Sequence, residues 1–350
     1  MKREEARHAT LYRQYRPGAF PEVRGQAHIV DTLEKAIKNK KVAHAYLFSG
    51  GRGTGKTTVA RILARELGVS NDDLFEMDAA SNRGIDDIRE LREGVYAMPF
   101  NSPYKFYIID EAHMLTKEAW NALLKTLEEP PAHCIFVLAT TERDKVPETI
   151  QSRCEAYAFK QPTREILAQS VLDVAKSEGY AIDRPAAELV ALLAEGSFRD
   201  ALSVLQKVLS VSDSKNIDAA AVEAVSGAPR GEIVRRIIKG IADKDAGAAL
   251  SAIREGIAEN MDARTLAKLL IHRMRVILLM RYAPDLADAI ASELTEADLA
   301  LAKETAKNPG VTSDTLRTLL EAYGSMAYAA VPHLPLELAI IDLSKNHAGV

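Results

Sequence analysis

The chain has 350 residues, 47% of them apolar and 27% charged, with a formal net charge of −4 at pH 7. That length suits about two to three domains, and that balance excludes disordered, collagen-like and disulfide-scaffold classes. Charge is distributed unevenly: residues 1–65 hold 14 Lys and Arg against 5 acids, whereas residues 161–350 hold 21 against 26. A phosphate-bearing partner would therefore be met by the first third, and the excess alone leaves nucleotide and DNA both open.

In chain order, the opening MKREEARHAT carries acids and no apolar core, so it does not read as a secretory signal. Up to about residue 160, short apolar runs alternate with amphipathic stretches. The runs 45–50 (AYLFSG), 74–79 (LFEMDA), 105–110 (KFYIID) and 134–140 (CIFVLAT) predict strands, and 155–160 (EAYAFK) a weaker fifth. Runs without in/out alternation predict burial on both faces, hence a five-stranded parallel sheet covered by helices, an α/β class. Thr116 predicts a helix start, and Pro130-Pro131 its end. After Pro162 strand signals vanish and apolar residues recur at helical spacing, so the remainder is expected to be all helix. Ser197-Phe-Arg-Asp200 reads as a capping box that puts Arg199 in the first turn of a helix. Gly227 to Gly231, with Pro229, marks a second boundary. The expected domains are thus 1–160, 161–226 and 227–350. The longest apolar stretch, Leu266 to Met280, is interrupted by His272, Arg273 and Arg275, so no membrane span is expected. Cys134 and Cys154 lie far apart and in no C-x-x-C pair, which predicts no zinc site, no disulfide framework and a reducing, cytoplasmic setting.

The chemistry concentrates in a few places. Gly50, Gly51, Arg52, Gly53, Thr54, Gly55, Lys56 and Thr57 fit G-x-x-x-x-G-K-[ST] between an expected strand and an expected helix, with Thr58 next. Such a loop wraps phosphate oxygens with backbone N–H groups, its lysine reaches the β/γ-phosphates and its Thr57 hydroxyl holds Mg²⁺. At 106–111 an apolar strand ends in Asp110 and Glu111; carboxylates at that edge are costly unless they meet a cation. Asp110 would support Mg²⁺, and Glu111 would orient and deprotonate the water that attacks a γ-phosphate. His113 reads as a structural or coupling residue. Thr140 and Thr141, at a strand tip, are placed to sense the γ-phosphate. Arg153 is either an ordinary surface ion pair or a finger serving a neighbour's nucleotide, a role worth about 10³ to 10⁵ in rate.

Together with Leu11 to Pro17, Phe20 to Gln26, His44 to Gly50, Asp78 to Ser81, Asn121 to Pro131, Leu138 to Thr141, Ser152 to Cys154 and Gly196 to Leu202, these residues resemble the gamma/tau subunit of the bacterial DNA polymerase III clamp loader. The likeness runs over about residues 10–345 and ends in Leu334 to Leu338. It implies an AAA+ ATPase domain, a helical lid and a helical collar that assembles subunits into a ring. It implies ATP and Mg²⁺ as cofactors, Lys56, Thr57, Asp110 and Glu111 as the hydrolytic set, and Thr141 as first sensor. Arg199 would be the lid's sensor and Arg153 a trans finger. Tyr12, Arg13, Arg16 and Pro17 match the stretch near adenine and ribose. The partners implied are other clamp-loader subunits, a sliding clamp and primer-template DNA.

Residues 67–74 run straight across where that family usually inserts a four-cysteine zinc module, and the region around Asn82 to Asp86 also resembles the small subunits of replication factor C. Arg24 replaces a small apolar residue common in the family. The expected form is a shortened one without the C-terminal tau extension. Arg83, Arg89 and Lys105 are candidate DNA contacts, with a solvated face the favoured alternative for each. Two rival classes are a DEAH-type helicase, for which the second half offers no second nucleotide-binding sheet, and a stator that binds ATP without turning it over.

Overall fold

The computed structural model describes residues 10–82, 84–212, 214–259, 261–283 and 294–345. Five strands, β1 (Ala45–Gly50), β2 (Leu74–Asp78), β3 (Lys105–Asp110), β4 (Cys134–Thr140) and β5 (Glu155–Phe159), form a parallel sheet in the order β2-β3-β4-β1-β5. The intervening helices are α1 (Leu11–Gln14) and α2 (Ala27–Lys38) before β1, then α3 (Lys56–Glu66), α4 (Ile85–Val95), α5 (Lys117–Glu128) and α6 (Glu148–Gln151). Alternate residues of one strand feed two separate cores. Leu47, Tyr107, Ile109, Phe136 and Leu138 pack with Trp120 and Leu123 of α5, whereas Tyr46, Phe48, Phe106, Ile108 and Val137 pack with Leu33 of α2 and Ile62 of α3. A sheet sandwiched in this way needs apolar residues at every position, which is why the central strands show no alternation.

The five expected strands are all present, but β2 is not buried on both faces. It is the edge strand, with Phe75 39% exposed and Glu76 and Asp78 exposed. Phe75 is apolar because it stacks on Tyr107, with ring centroids 5.0 Å apart, and not because it is enclosed. The register sets Asp78 opposite Asp110, so β2 and β3 end level. Thr116 caps α5 by accepting from the Ala119 N–H at 3.2 Å, and the helix stops at Glu128, before the two prolines.

The chain divides into two compact units, Met1–Leu167 with Ala194–Leu202, and Ala168–Leu193 with Ser203–Val350. The second is built on α7 (Arg164–Ser177), α8 (Arg184–Leu193), α9 (Phe198–Val211), α10 (Ala219–Ser226), α11 (Gly231–Ala242), α12 (Ala246–Ala258), α13 (Ala263–Tyr282), α14 (Glu296–Thr305), α15 (Ser313–Ser325) and α16 (Leu334–Ser344); α7 and α9 begin in the first unit. Their starts follow capping chemistry: Asp218, Asp245, Asp262, Thr295 and Thr312 each accept a first-turn N–H of the helix that follows. The expectation of helix alone after Pro162 is corrected in one detail, a two-stranded parallel pair of β6 (Ala181–Ile182) with β7 (Asn216–Ile217). Two residues per strand are too few to carry an alternation signal. Among the described residues no helix is long and apolar enough to cross a membrane.

Within the second unit, α11 packs on α12, and α13 on α14 and α15. Asp298 of α14, with its side chain 6% exposed, accepts from Arg235 of α11 at 3.1 Å and from Arg273 of α13 at 2.7 Å. Removing one member of a buried ionic set leaves the others uncompensated, at about 3–5 kcal/mol. Asp298→Ala is therefore expected to lower the stability of the helical unit by about that amount in equilibrium denaturation; a loss below about 1 kcal/mol, the range of exposed pairs, would show that solvent already screens the triad.

Candidate functional site

At the carboxyl end of β1 the chain turns through residues 51–55 into α3. Two glycines there are dictated by space as well as torsion. A Cβ on Gly50 (φ 146°) would lie 2.4 Å from the Phe159 carbonyl oxygen, and one on Gly53 (φ 68°) would lie 2.0 Å from Ser197 Oγ. The Phe198 N–H donates to the Gly53 carbonyl at 3.1 Å, so the segment carrying Arg199 is bonded to the loop. Gly55 caps α3 without a side-chain acceptor. The first N–H groups of that helix are thus left to whatever anion the loop holds, where the helix dipole also favours negative charge. Thr54 is buried and its hydroxyl donates to the Gly51 carbonyl at 2.9 Å. Lys56 is buried too, its ammonium donating to the Gly50 and Gly51 carbonyls at 2.8 Å each. Burial lowers the pKa of Lys56, an effect that Glu111 and Asp110 oppose. Arg52 is exposed on the loop, and Thr58 is half-buried in the first turn.

Across the sheet edge, Thr57 Oγ1 donates to Asp110 Oδ2 at 2.7 Å. The pair joins the first turn of α3 to the end of β3. A hydroxyl and a carboxylate so placed are hard oxygen donors of the kind Mg²⁺ takes, and that ion usually needs only one or two protein ligands. Glu111 follows in a left-handed backbone conformation (φ 47°, ψ 42°), and its N–H donates to Asp110 Oδ1 at 3.0 Å. A non-glycine residue there costs on the order of 1 kcal/mol or more. Thr141, just past the tip of β4, donates from Oγ1 to Glu111 Oε2 at 3.2 Å. His113 Nδ1 is 3.1 Å from Thr140 Oγ1, and Nε2 is 3.3 Å from Glu142 Oε1. Lys145 donates to Glu142 and holds its carboxyl below the usual range.

A cleft of about 640 Å³ opens beside this cluster, with Tyr12, Arg13, Arg16, Thr57, Asp110 and Arg199 on its walls. The guanidinium of Arg199 lies 5.6 Å from the centre of the Tyr12 ring, and that of Arg13 5.8 Å. Arg16 is half-buried; burial and the neighbouring Arg61 lower its pKa. Pro17 is adjacent in sequence but is not part of the lining. Three further residues belong here that no motif marks. Arg61 and Glu76, ion-paired with each other, also line the cleft. Gln26 is fully buried, donating to the Lys160 carbonyl at 2.7 Å and the Thr54 carbonyl at 3.4 Å, and so ties the loop to the end of β5. Arg61 was findable, since it falls one helical turn after Thr57; a structural glutamine has no sequence signal of its own.

Arg153 is not in the cleft. Its guanidinium donates to the Thr149 carbonyl and to Glu128 Oε1, both at 2.6 Å, with the side chain about one-third exposed. Of the candidate DNA contacts, Arg83 lies outside the described residues, and Arg89 is exposed and paired with Asp86 at 3.1 Å. Lys105 is corrected: it is buried, donates to the Gly94 carbonyl at 2.8 Å and stands over the Phe75 ring, so it offers no charge to a duplex.

The family model described as DNA polymerase III, delta subunit, matches residues 25–83 and 68–163. The DNA polymerase III subunit tau of Bacillus subtilis is 36% identical over 359 residues, covering 96% of this chain and 63% of that protein. The subunit gamma/tau of Mycoplasma pneumoniae is 44% identical over 61% of this chain and 34% of its own length. Over 96% of its length the chain is similar to gamma/tau subunits. It spans about three-fifths of the length of the first of these gamma/tau relatives. A solved structure of the Thermotoga maritima RuvB Holliday junction branch migration motor superposes with a TM-score of 0.52 at 24% identity, over 65% of this chain and 79% of that one, which supports the AAA+ fold.

In this chain the loop is seated on Ser197 through Gly53. Gly53→Ala should therefore push Ser197 and the Arg199 segment off the loop and weaken the binding of a fluorescent adenine nucleotide at least tenfold; an affinity within twofold of the parent would mean that the segment is not coupled to the loop.

Proposed function

We propose that the chain is the ATP-hydrolysing motor subunit of a DNA polymerase clamp loader. The observation that carries this reading is the meeting, at one sheet edge, of a glycine loop with Lys56, the Thr57–Asp110 pair and the Glu111–Thr141 pair, in a chain similar to gamma/tau subunits. The loop amides and Lys56 would bind the phosphates, with Lys56 exchanging the Gly50 and Gly51 carbonyls for phosphate oxygens. Thr57 and Asp110 would hold Mg²⁺, which neutralises charge on the β- and γ-phosphates. Glu111 orients water and accepts its proton, and Thr141 fixes that carboxylate and senses the γ-phosphate. Phosphoryl transfer needs little covalent help, so positioning and electrostatics do the work.

Tyr12, Arg13 and Arg16 belong to the nucleotide side of the cleft in this reading, and Arg199 reports closure of the lid, residues 161–226. The collar, residues 227–350, assembles the chain with other clamp-loader subunits into a ring. Arg153 then serves the nucleotide of a neighbour, exchanging Glu128 for phosphate. The ring grips primer-template DNA through its phosphates and opens a sliding clamp, in the cytoplasm, so binding to DNA should weaken steeply with salt.

Lys56→Ala is expected to abolish ATP binding in a filter or calorimetric assay; normal affinity would remove the phosphate-cradle reading. Glu111→Gln should bind ATP as the parent does and fail to release phosphate, and an active Gln variant would mean another base. Arg153→Ala should bind ATP normally yet lose about 10³-fold or more in the assembled, DNA-stimulated complex; unchanged turnover there would eliminate the trans finger.

A further inference from the structure

His113 is used by no step above, yet its side chain is only 7% exposed and both ring nitrogens face oxygen atoms. It belongs to the short helical turn Ala112–Met114, which directly follows Glu111. On one side, Nδ1 lies 3.1 Å from Thr140 Oγ1 and 3.5 Å from Glu111 Oε2. On the other, Nε2 lies 3.3 Å from Glu142 Oε1. Thr140 Oγ1 also accepts the Glu142 N–H at 3.0 Å, so the ring grips the tip of β4 on both sides of Thr141. That same Thr141 donates to the Glu111 oxygen that the imidazole approaches.

We propose that His113 is a positioning residue that latches the water-orienting Glu111 to the sensing tip of β4. The inference rests on the reading of Glu111 given above. Glu111 has a fixed backbone but three side-chain torsions, and a free glutamate would sample many rotamers at an entropic cost to any single working pose. The Thr141 hydroxyl donates to Oε2, with the imidazole Nδ1 3.5 Å from the same oxygen, and Oε1 has no hydrogen-bond partner among the described residues, which leaves it as the oxygen to meet water. Because the ring also holds Thr140 and Glu142, a shift of Thr141 toward a γ-phosphate must carry Glu111 with it. The sensor and the base move as one body, and hydrolysis is tied to the presence of the third phosphate.

The test compares His113→Ala, His113→Phe and His113→Asn in the complete clamp-loader assembly with primed DNA, reading kcat and KM for ATP and the affinity for a slowly cleaved ATP analogue. Phe restores the buried volume without a polar contact, whereas Asn returns a polar group near the place of Nδ1. Misplacing a reacting group by about 1 Å costs roughly 100-fold. The expected result is a fall in kcat of about 10- to 100-fold for Ala and Phe, partial recovery for Asn, and KM and analogue affinity within twofold of the parent. Full turnover by the Phe variant would overturn the latch, because filling space would then suffice. A change in KM or analogue affinity with kcat preserved would also overturn it. The Glu111→Gln chain separates the two levels: if Gln is inactive and Phe is normal, only the latch fails, whereas an active Gln variant removes the reading on which the latch rests.

Discussion

The hydrogen bond from Thr57 to Asp110 is the contact on which the rest of the site depends. It fastens the first turn of α3 to the carboxyl end of β3 at 2.7 Å, and the other oxygen of the same carboxylate accepts the Glu111 N–H at 3.0 Å. The parallel sheet makes the junction possible. β1 and β3 both deliver their carboxyl ends to one edge, and the turn after β3 is anchored to the core by Ala112 and Leu115. The two apolar layers hold these strands rigid, so the polar groups at their tips keep their spacing without being able to relax into the interior.

Charge at that edge is kept in balance by neighbours and not by solvent alone. Asp78, Asp110 and Glu111 end two adjacent strands. Facing them are Lys56 from the loop, with Arg16, Arg61 and Arg199 around the cleft. Burial first, and then the neighbouring charges of Arg61 and Arg199, lower the pKa of Arg16, while Glu76 and Asp110 oppose the shift. A polyanion would relieve the repulsion among these guanidiniums, and the same cations would give little to an uncharged ligand. The phosphate ligand of the proposed function would suit the cleft's field as well as its loop.

Much of this was legible in the sequence. All five strands were bounded within one residue, the central ones because each is a near-continuous apolar run closed by a polar turn, and the glycine loop with its Lys-Thr pair stands out by its spacing. The acids at 110 and 111 were picked out only through their pairing with the glycine loop, and the structure brings Asp110 within 2.7 Å of Thr57. What escaped detection depends on pairs remote in sequence. Lys105 looked like a surface charge, yet the aromatic ring of Phe75 and the Gly94 carbonyl draw it in. The edge position of β2 was hidden because a phenylalanine that covers a neighbour's ring is indistinguishable, in one sequence, from one that is enclosed. Gln26 and the two-residue strands left no periodic trace. The bond of Arg153 to Glu128 joins residues 25 apart through the folded surface, which spacing does not encode.

Under the proposed function this edge takes a magnesium-bound triphosphate. Calorimetric titration of the chain with a slowly cleaved ATP analogue, in parallel with excess Mg²⁺ and with excess EDTA, tests it most directly. One site per chain is predicted, with affinity falling at least tenfold when the metal is withheld and the metal dependence vanishing in Asp110→Asn. No saturable binding, or binding indifferent to both the metal and Asp110, would contradict it.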